Sequence, residues 1–254
     1  FMTRLQSLPV SLQKSIQNRS LLKVISGLNN FNSESVFRIS KAAGLGGADL
    51  LDIACKPALV KLAAEASKIP ICVSSVEPKL FPDAVRAGAS IIEIGNFDSF
   101  YPDGRFFSAD EVLSLAVESR QLLPDVVLSV TVPHTLPLDS QSQLALDLVD
   151  VGVNLIQTEG GASSHPNSPG TLGLIEKASP TLAATFAIAS ALKESNKDAH
   201  LISGSMHRRQ GKWESGSASK RYFTKDHAGG VGENDDGEAF AALGGGLRRF
   251  RVRV

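Results

Sequence analysis

Residues 69–97 read IPICVSSVEPKLFPDAVRAGASIIEIGNF. Ile69–Val76 is an apolar, β-branched run, which predicts a buried strand. Phe81–Ala87 predicts a short helix, ended by Gly88, and Ile91–Phe97 predicts the next strand. Two buried strands joined through one helix pair in parallel by a right-handed crossover. Units of this kind, six of them along the chain, exclude an all-β or an all-α fold.

The same rhythm extends in both directions. Upstream, Ala48–Cys55 (ADLLDIAC) predicts a strand, and Pro57 opens the helix after it, where a missing N–H costs nothing. Leu21–Leu28 (LLKVISGL) predicts the first strand. Ser33 is expected to cap a helix to about Ala43, with Gly44, Gly46 and Gly47 stopping it. Downstream, Ser108 and Glu111 form a capping box for a helix to Leu123. Strands are predicted at Val126–Pro133 and Asn154–Gly160, with a helix over about Gln141–Val151 between them that stops at Gly152. A helix over Leu172–Glu194 follows, and a seventh strand begins at His200–Ser203.

Two architectures fit such repeats: a closed (β/α)8 TIM barrel and an open doubly wound sheet. The open sheet usually carries a glycine-rich first turn. Here that turn reads Gly27-Leu28-Asn29-Asn30-Phe31, which is not GxGxxG. The length, 254 residues, suits one barrel. The expected fold class is thus α/β, a TIM barrel truncated or altered after about the sixth unit. Residues 14–202 form the incomplete barrel domain. Residues 203–254 hold ten glycines and no apolar run long enough for a buried strand, so disorder is expected over most of them.

The formal net charge is zero, which gives no reason to expect a nucleic-acid or membrane partner. The balance is uneven, however. Residues 1–202 carry 16 Lys+Arg against 20 Asp+Glu, and residues 203–254 carry 10 against 6. Cys55 and Cys72 lack metal-site spacing and read as reduced core residues. No cofactor motif and no metal-ligand constellation is legible. The chain opens on Phe1, so the native N-terminus is expected upstream. Residues 1–33 hold four basic residues and no acid, which fits the end of a transit peptide or a helix under the barrel. Leu5, Leu8, Leu12 and Ile16 recur at helical spacing and favour the helix.

KVISGLNNF (Lys23–Phe31), ADLLDIAC, IPICVSSVEP, AGASIIEIGNFDSFY and NLIQTEGG occur in this order over about residues 14–195. Together they resemble the hypothetical chloroplast open reading frame 23 family, also called domain of unknown function 561. The resemblance implies an aldolase-type TIM barrel from a plastid or a cyanobacterium, hence the stroma or a cyanobacterial cytoplasm. It brings no reaction. After about residue 195 the family continues with a strand ending in an Ala-Ser-Gly turn, a helix, and a Gly-Val-Gly-rich eighth strand. This chain instead reads SGSMHRRQGKWESGS, as expected of a frameshift, a retained intron or an alternative exon.

Barrel chemistry sits at the C-terminal ends of the strands, and period-two alternation tells which side chains share a face. Lys23, Asp52 and Glu93 are charges inside apolar strands and must be paired. Pointing inward, they would form a lysine–carboxylate cluster suited to Schiff-base or proton-transfer chemistry. The plain structural reading is an inward salt-bridge layer. Glu159, with Gln157 on its face and Gly160 and Gly161 behind it, is the best single candidate for a functional carboxylate. The two glycines either present N–H groups to an anion or simply make a tight turn. His134 is a candidate general base or a solvated loop residue. Asn29, Asn30, Ser74, Ser75, Asn96 and Thr131 complete the expected substrate-binding set, with Ser129 beside Thr131. His165 lies in a loop able to act as a lid, and Ala228–Gly232 resembles a phosphate loop only superficially, since Glu233, Asp235 and Asp236 follow it. The expected function is a lyase, isomerase or synthase acting on a small phosphorylated metabolite, inactive in this form. The alternative is a non-catalytic barrel that binds a partner or a regulatory metabolite.

Overall fold

The computed structural model describes residues 2–159, 168 and 170–204. Two helices open the chain, α1 (Met2–Leu5) and α2 (Val10–Gln17). Strand–helix units follow: β1 (Lys23–Gly27), α3 (Ser33–Leu45), β2 (Leu50–Ala54), α4 (Pro57–Ala66), β3 (Ile71–Ser75), α5 (Phe81–Arg86), β4 (Ile91–Ile94), α6 (Ala109–Leu122), β5 (Val127–Val132), α7 (Leu138–Asp150), β6 (Leu155–Thr158), α8 (Gly170–Glu194) and β7 (His200–Ile202). Short 3₁₀ turns at Pro78–Leu80, Phe97–Ser99 and Tyr101–Asp103 fill two of the connections.

All pairings are parallel, and the strands lie in the order β1-β2-β3-β4-β5-β6-β7. A doubly wound sheet reverses its order at a switch point; this one does not. The sheet is also curled. Neighbouring strands lie about 4.8 Å apart, so in a flat sheet β1 and β6 would be separated by roughly 24 Å. Lys23 Nζ of β1 donates to Gln157 Oε1 of β6 at 2.9 Å. Only a sheet rolled around a lumen permits that contact. Among the described residues the barrel has seven strands, one short of eight. The sequence readings of the tail after residue 204 and of Ala228–Gly232 lie outside the described residues.

Alternation sorts the side chains cleanly. Leu51, Ile53, Val73, Ile92, Ile94, Leu128, Val130, Val132 and Ile156 face the helices in one large core. Leu50, Cys72, Ile91, Val127 and Leu155, of opposite parity, face inward and form the floor of the lumen. Leu8, Leu12 and Ile16, at or near α2, pack against that floor and plug it. The basic N-terminal stretch is thus a helix beneath the barrel in residues 10–17. Each such aliphatic burial contributes about 1.5–3 kcal/mol.

Two local readings are corrected. Asn32, not Ser33, caps α3, its side chain accepting from Ser35 N at 2.9 Å. Gly44 does not stop that helix but lies within it, because α3 and α4 approach closely there. A Cβ on Gly44 would fall 2.9 Å from Ser67 Cβ. The capping box is half formed: Ser108 Oγ accepts from Glu111 N, while the Glu111 carboxylate pairs with Arg105. Both cysteines are buried and free. No helix among the described residues is long and apolar enough to cross a membrane.

Candidate functional site

Above the apolar floor the inward positions turn polar. Lys23, Asp52, Ser74, Glu93, Ser129, Thr131 and Gln157 are all buried and come from six strands, β1 to β6. Register links them around the barrel in a staggered band: Ser74 pairs with Glu93, Glu93 with Ser129, and Thr131 with Gln157, while Lys23 and Asp52 pair with the floor residues Leu50 and Cys72. Lys23 is the hub. Its ammonium lies 2.9 Å from Asp52 Oδ2, 2.6 Å from Glu93 Oε2 and 2.9 Å from Gln157 Oε1. An ammonium has three N–H bonds, and three acceptors surround this one.

The carboxylates are held in turn. Ser129 Oγ donates to Glu93 Oε2 at 2.6 Å, and Gln157 Nε2 donates to Glu93 Oε1 at 3.2 Å. Ser74 Oγ donates to Asp52 Oδ1 at 2.5 Å, and Asn96 Nδ2 reaches Asp52 Oδ2 at 3.3 Å. Asn96 follows β4 with a left-handed φ of 63°, a conformation asparagine tolerates better than most residues, and this turns its amide back over the lumen. Gly95 sits beside it for want of space. A Cβ there would lie 2.2 Å from Thr131 Oγ1.

Electrostatics decides the state of the lysine. Burial works to lower its pKa, but the charges of Asp52 and Glu93 override it, and the net shift is upward. Lys23 is therefore an ammonium at neutral pH. Burial raises the Glu93 pKa, with Lys23 opposing. Burial also holds Cys72 well above the ordinary thiol value, so it is a neutral thiol in the floor. Asp52, Cys72 and Glu93 offer ligand atoms all within 4.8 Å of one another. The Lys23 ammonium already supplies the positive charge between the two carboxylates, so a metal ion there would have to displace it.

A second cluster stands at the mouth of the barrel. Glu159, just past β6, is 5% exposed and accepts three hydrogen bonds, from Tyr101 Oη at 2.6 Å, Asp98 N at 2.9 Å and His134 N at 3.1 Å. Its Oε2 also lies 2.7 Å from His134 Nδ1. The His134 and Tyr101 rings meet edge to face at 5.2 Å. Glu159 therefore ties the segment after β4 to the segment after β5.

The expected site thus divides. Lys23, Asp52, Ser74, Glu93, Asn96, Thr131 and Gln157 share the lumen, whereas Glu159 and His134 form their own network above it. Three candidates fall elsewhere. Ser75 has the opposite parity from Ser74, and its hydroxyl accepts from Glu77 N at 2.9 Å, shaping the turn after β3. Asn30 braces the turn after β1 through Ser26 Oγ and Ser35 Oγ, and Asn29 is exposed. Gly160, Gly161 and His165 lie outside the described residues. Tyr101 is not legible from the sequence, because it sits in a loop, where strand alternation says nothing about direction.

Fold and site together define a parallel α/β barrel of the aldolase type with a charged lumen. The model of the family described as protein of unknown function (DUF561) matches residues 7–194. The chain belongs to that family. A relative in Cyanophora paradoxa, uncharacterized protein ycf23, is 49% identical over 175 residues, 68% of this chain and 72% of its own length. The Porphyra purpurea ycf23 protein is 37% identical over 182 residues, 72% of this chain and 69% of its own. These homologues are plastid-genome proteins. Among solved structures, a Toxoplasma gondii ME49 chain carrying the description deoxyribose-phosphate aldolase superimposes with a TM-score of 0.51 at 19% identity, covering 80% of this chain and 78% of that one. At that identity the likeness shows the fold alone.

Proposed function

We propose that the lumen is an acid–base site for a lyase, isomerase or synthase reaction on a small phosphorylated metabolite. The observation that carries this is the buried Lys23–Asp52–Glu93 trio, drawn from three strands. Burying three charges costs several kcal/mol per ion before pairing, and an apolar layer of equal volume would be as stable or more so. A group retained at that cost is a candidate for chemistry. In this reading the Lys23 ammonium stabilises negative charge developing on a substrate oxygen, and Glu93, with its raised pKa, exchanges the proton. Schiff-base chemistry, which needs a neutral amine, is disfavoured. The phosphorylated class rests on the architecture, since barrels of this type hold phosphate with the loops after the seventh and eighth strands. Plastid homology supports a stromal location. Because this chain departs from the family beyond about residue 195, we place the activity in relatives with a complete barrel and expect this chain to be inactive.

The test is a thermal-shift screen of phosphorylated metabolites on the Cyanophora paradoxa relative and on this chain. Stabilisation of the relative, lost when the lysine matching Lys23 becomes Met, is expected; no stabilisation by any phosphorylated compound would refute the reading. A second reading, a non-catalytic binding barrel, is favoured by one observation: the charged groups of the lumen bond to one another and to Ser74, Ser129 and Gln157 of the same layer. It predicts that Lys23→Met with Glu93→Gln leaves the cellular phenotype intact.

A further inference from the structure

At the end of the barrel opposite the mouth, a buried side chain keeps an unpartnered donor. Asn154 stands just before β6 and is 4% exposed. Its backbone N donates to Leu128 O and its backbone O accepts from His200 N. Its Oδ1 accepts from Leu128 N and from Arg120 Nη2, both at 3.1 Å. Only Nδ2 has no partner among the described residues. Buried amide groups are nearly always satisfied, because leaving one unmade forfeits its hydration with no return. His200 opens β7 beside it. It is the register partner of Leu155, so its side chain points inward at the level of the floor, where Leu50, Cys72, Ile91, Val127 and Leu155 place apolar groups. An imidazole is out of keeping with that layer, and neither of its nitrogens bonds to a described residue. Burial lowers its pKa, with Asp198 opposing and Arg19 assisting, so the ring is neutral at pH 7 and offers one donor and one acceptor. Both residues line one cavity of about 200 Å³, walled on its apolar sides by Leu5, Ile16 and Ala199. A dry cavity of about 150 Å³ accepts benzene, so this one has room for a six-membered ring with a polar substituent. Asp198 lines it as well, and no Lys or Arg does, which suits an uncharged ligand.

We propose that this cavity, between α2 and the start of β7, is a binding site for a small uncharged ring that carries an amide. The ligand carbonyl accepts from Asn154 Nδ2, its N–H donates to the His200 ring, and its ring packs on Leu5, Ile16 and Ala199. The site lies at the N-terminal ends of the strands, away from the Lys23–Glu93 layer, and does not depend on the chemistry assigned to the lumen. A ligand held there bridges the plug helix α2 to β7, the last strand in the sheet order, and so ties the floor to the edge of the described barrel.

The experiment titrates benzamide into the full ¹⁵N-labelled chain at pH 7, with benzoate and toluene as controls of similar size. Benzamide should shift the Asn154 side-chain N–H and the His200 ring signals saturably. Asn154→Asp keeps Oδ1 for Arg120 and Leu128 N and removes only the Nδ2 donor; it should weaken benzamide by about tenfold or more. Ala199→Leu, which fills the cavity, should abolish the shifts. Benzoate and toluene, which lack the amide, should each bind about tenfold or more weakly than benzamide. Asn154 and His200 signals that benzamide leaves unmoved overturn the proposal and leave water as the partner of Nδ2. Benzamide binding that survives Ala199→Leu or is unchanged by Asn154→Asp overturns it too, as does benzoate or toluene binding as tight as that of benzamide. The wild-type titration and Ala199→Leu decide the matter even if Asn154→Asp fails to fold.

Discussion

At the scale of single residues, protonation states set the chemistry and also make a prediction. Four groups hold their protons more tightly in the fold than in the unfolded chain. Lys23, ordinarily near 10.5, is raised by its carboxylates against burial; Tyr101, ordinarily near 10.0, is raised by burial and Glu159; Cys72 is raised by burial; and Cys55 is pushed by burial to about 12. All four shifts act in one direction. Each group contributes stability that is intact below its unfolded pKa and is lost as pH rises toward its folded one. Stability should therefore fall from about pH 9, where the unfolded thiols ionise, and further past 10.5, where the unfolded lysine does, offset in part above pH 10 by Arg120, which burial lowers to about 10. Each fully linked group contributes a slope of about 1.4 kcal/mol per pH unit. Urea midpoints between pH 7 and 11 check this; a flat profile to pH 11 would contradict the bonding assigned to Lys23. The lumen charges were legible before the structure because charge inside an apolar strand is conspicuous, and parity placed Lys23, Asp52, Glu93, Ser74, Thr131 and Gln157 correctly. Ser75 failed because adjacent strand residues point to opposite faces, so Ser74 and Ser75 cannot both line the lumen. His134 and Glu159 stand out in the sequence, but their contact with each other and with Tyr101 depends on loop geometry that no periodicity encodes.

At the scale of elements, the strands and helices lie where the apolar runs and caps place them, with ends shifted by at most three residues. Predicted strands were longer than observed ones because apolar residues continue past the last ladder bond: Leu21 and Leu22 precede β1 and still pack on the core. The departures at α3 have a tertiary cause, the close approach of Gly44 to Ser67. The element with the clearest separate role is α2. Leu12 is 1% exposed and sits against Leu50, Cys72, Ile91, Val127 and Leu155 beneath the polar layer. Leu12→Ala should cost about 2–5 kcal/mol, as deletions in packed cores do. Urea denaturation followed by circular dichroism checks the figure. A loss under about 0.5 kcal/mol would mean that α2 does not plug the floor.

At the scale of the whole molecule, one fact organises the rest: parallel strands in sequential order roll until β1 meets β4 and β6 across a lumen. The strand–helix rhythm pointed to this architecture, and the missing glycine-rich turn argued against the open sheet. The degree of closure was not legible, because curl depends on strand twist and on contacts between residues 134 positions apart, such as Lys23 with Gln157. The most direct test is a double-mutant cycle on Lys23 and Glu93, using Lys23→Met, Glu93→Gln and the pair, with unfolding free energies from urea titrations at pH 7. Three strand spacings would separate these residues by roughly 14 Å in a flat sheet. In the rolled sheet they touch at 2.6 Å. The account predicts strong coupling, above about 1 kcal/mol, with the double variant far less destabilised than the sum of the singles. Free energies that add to within about 0.5 kcal/mol would show that the two side chains do not meet, and the charged lumen would have to be abandoned.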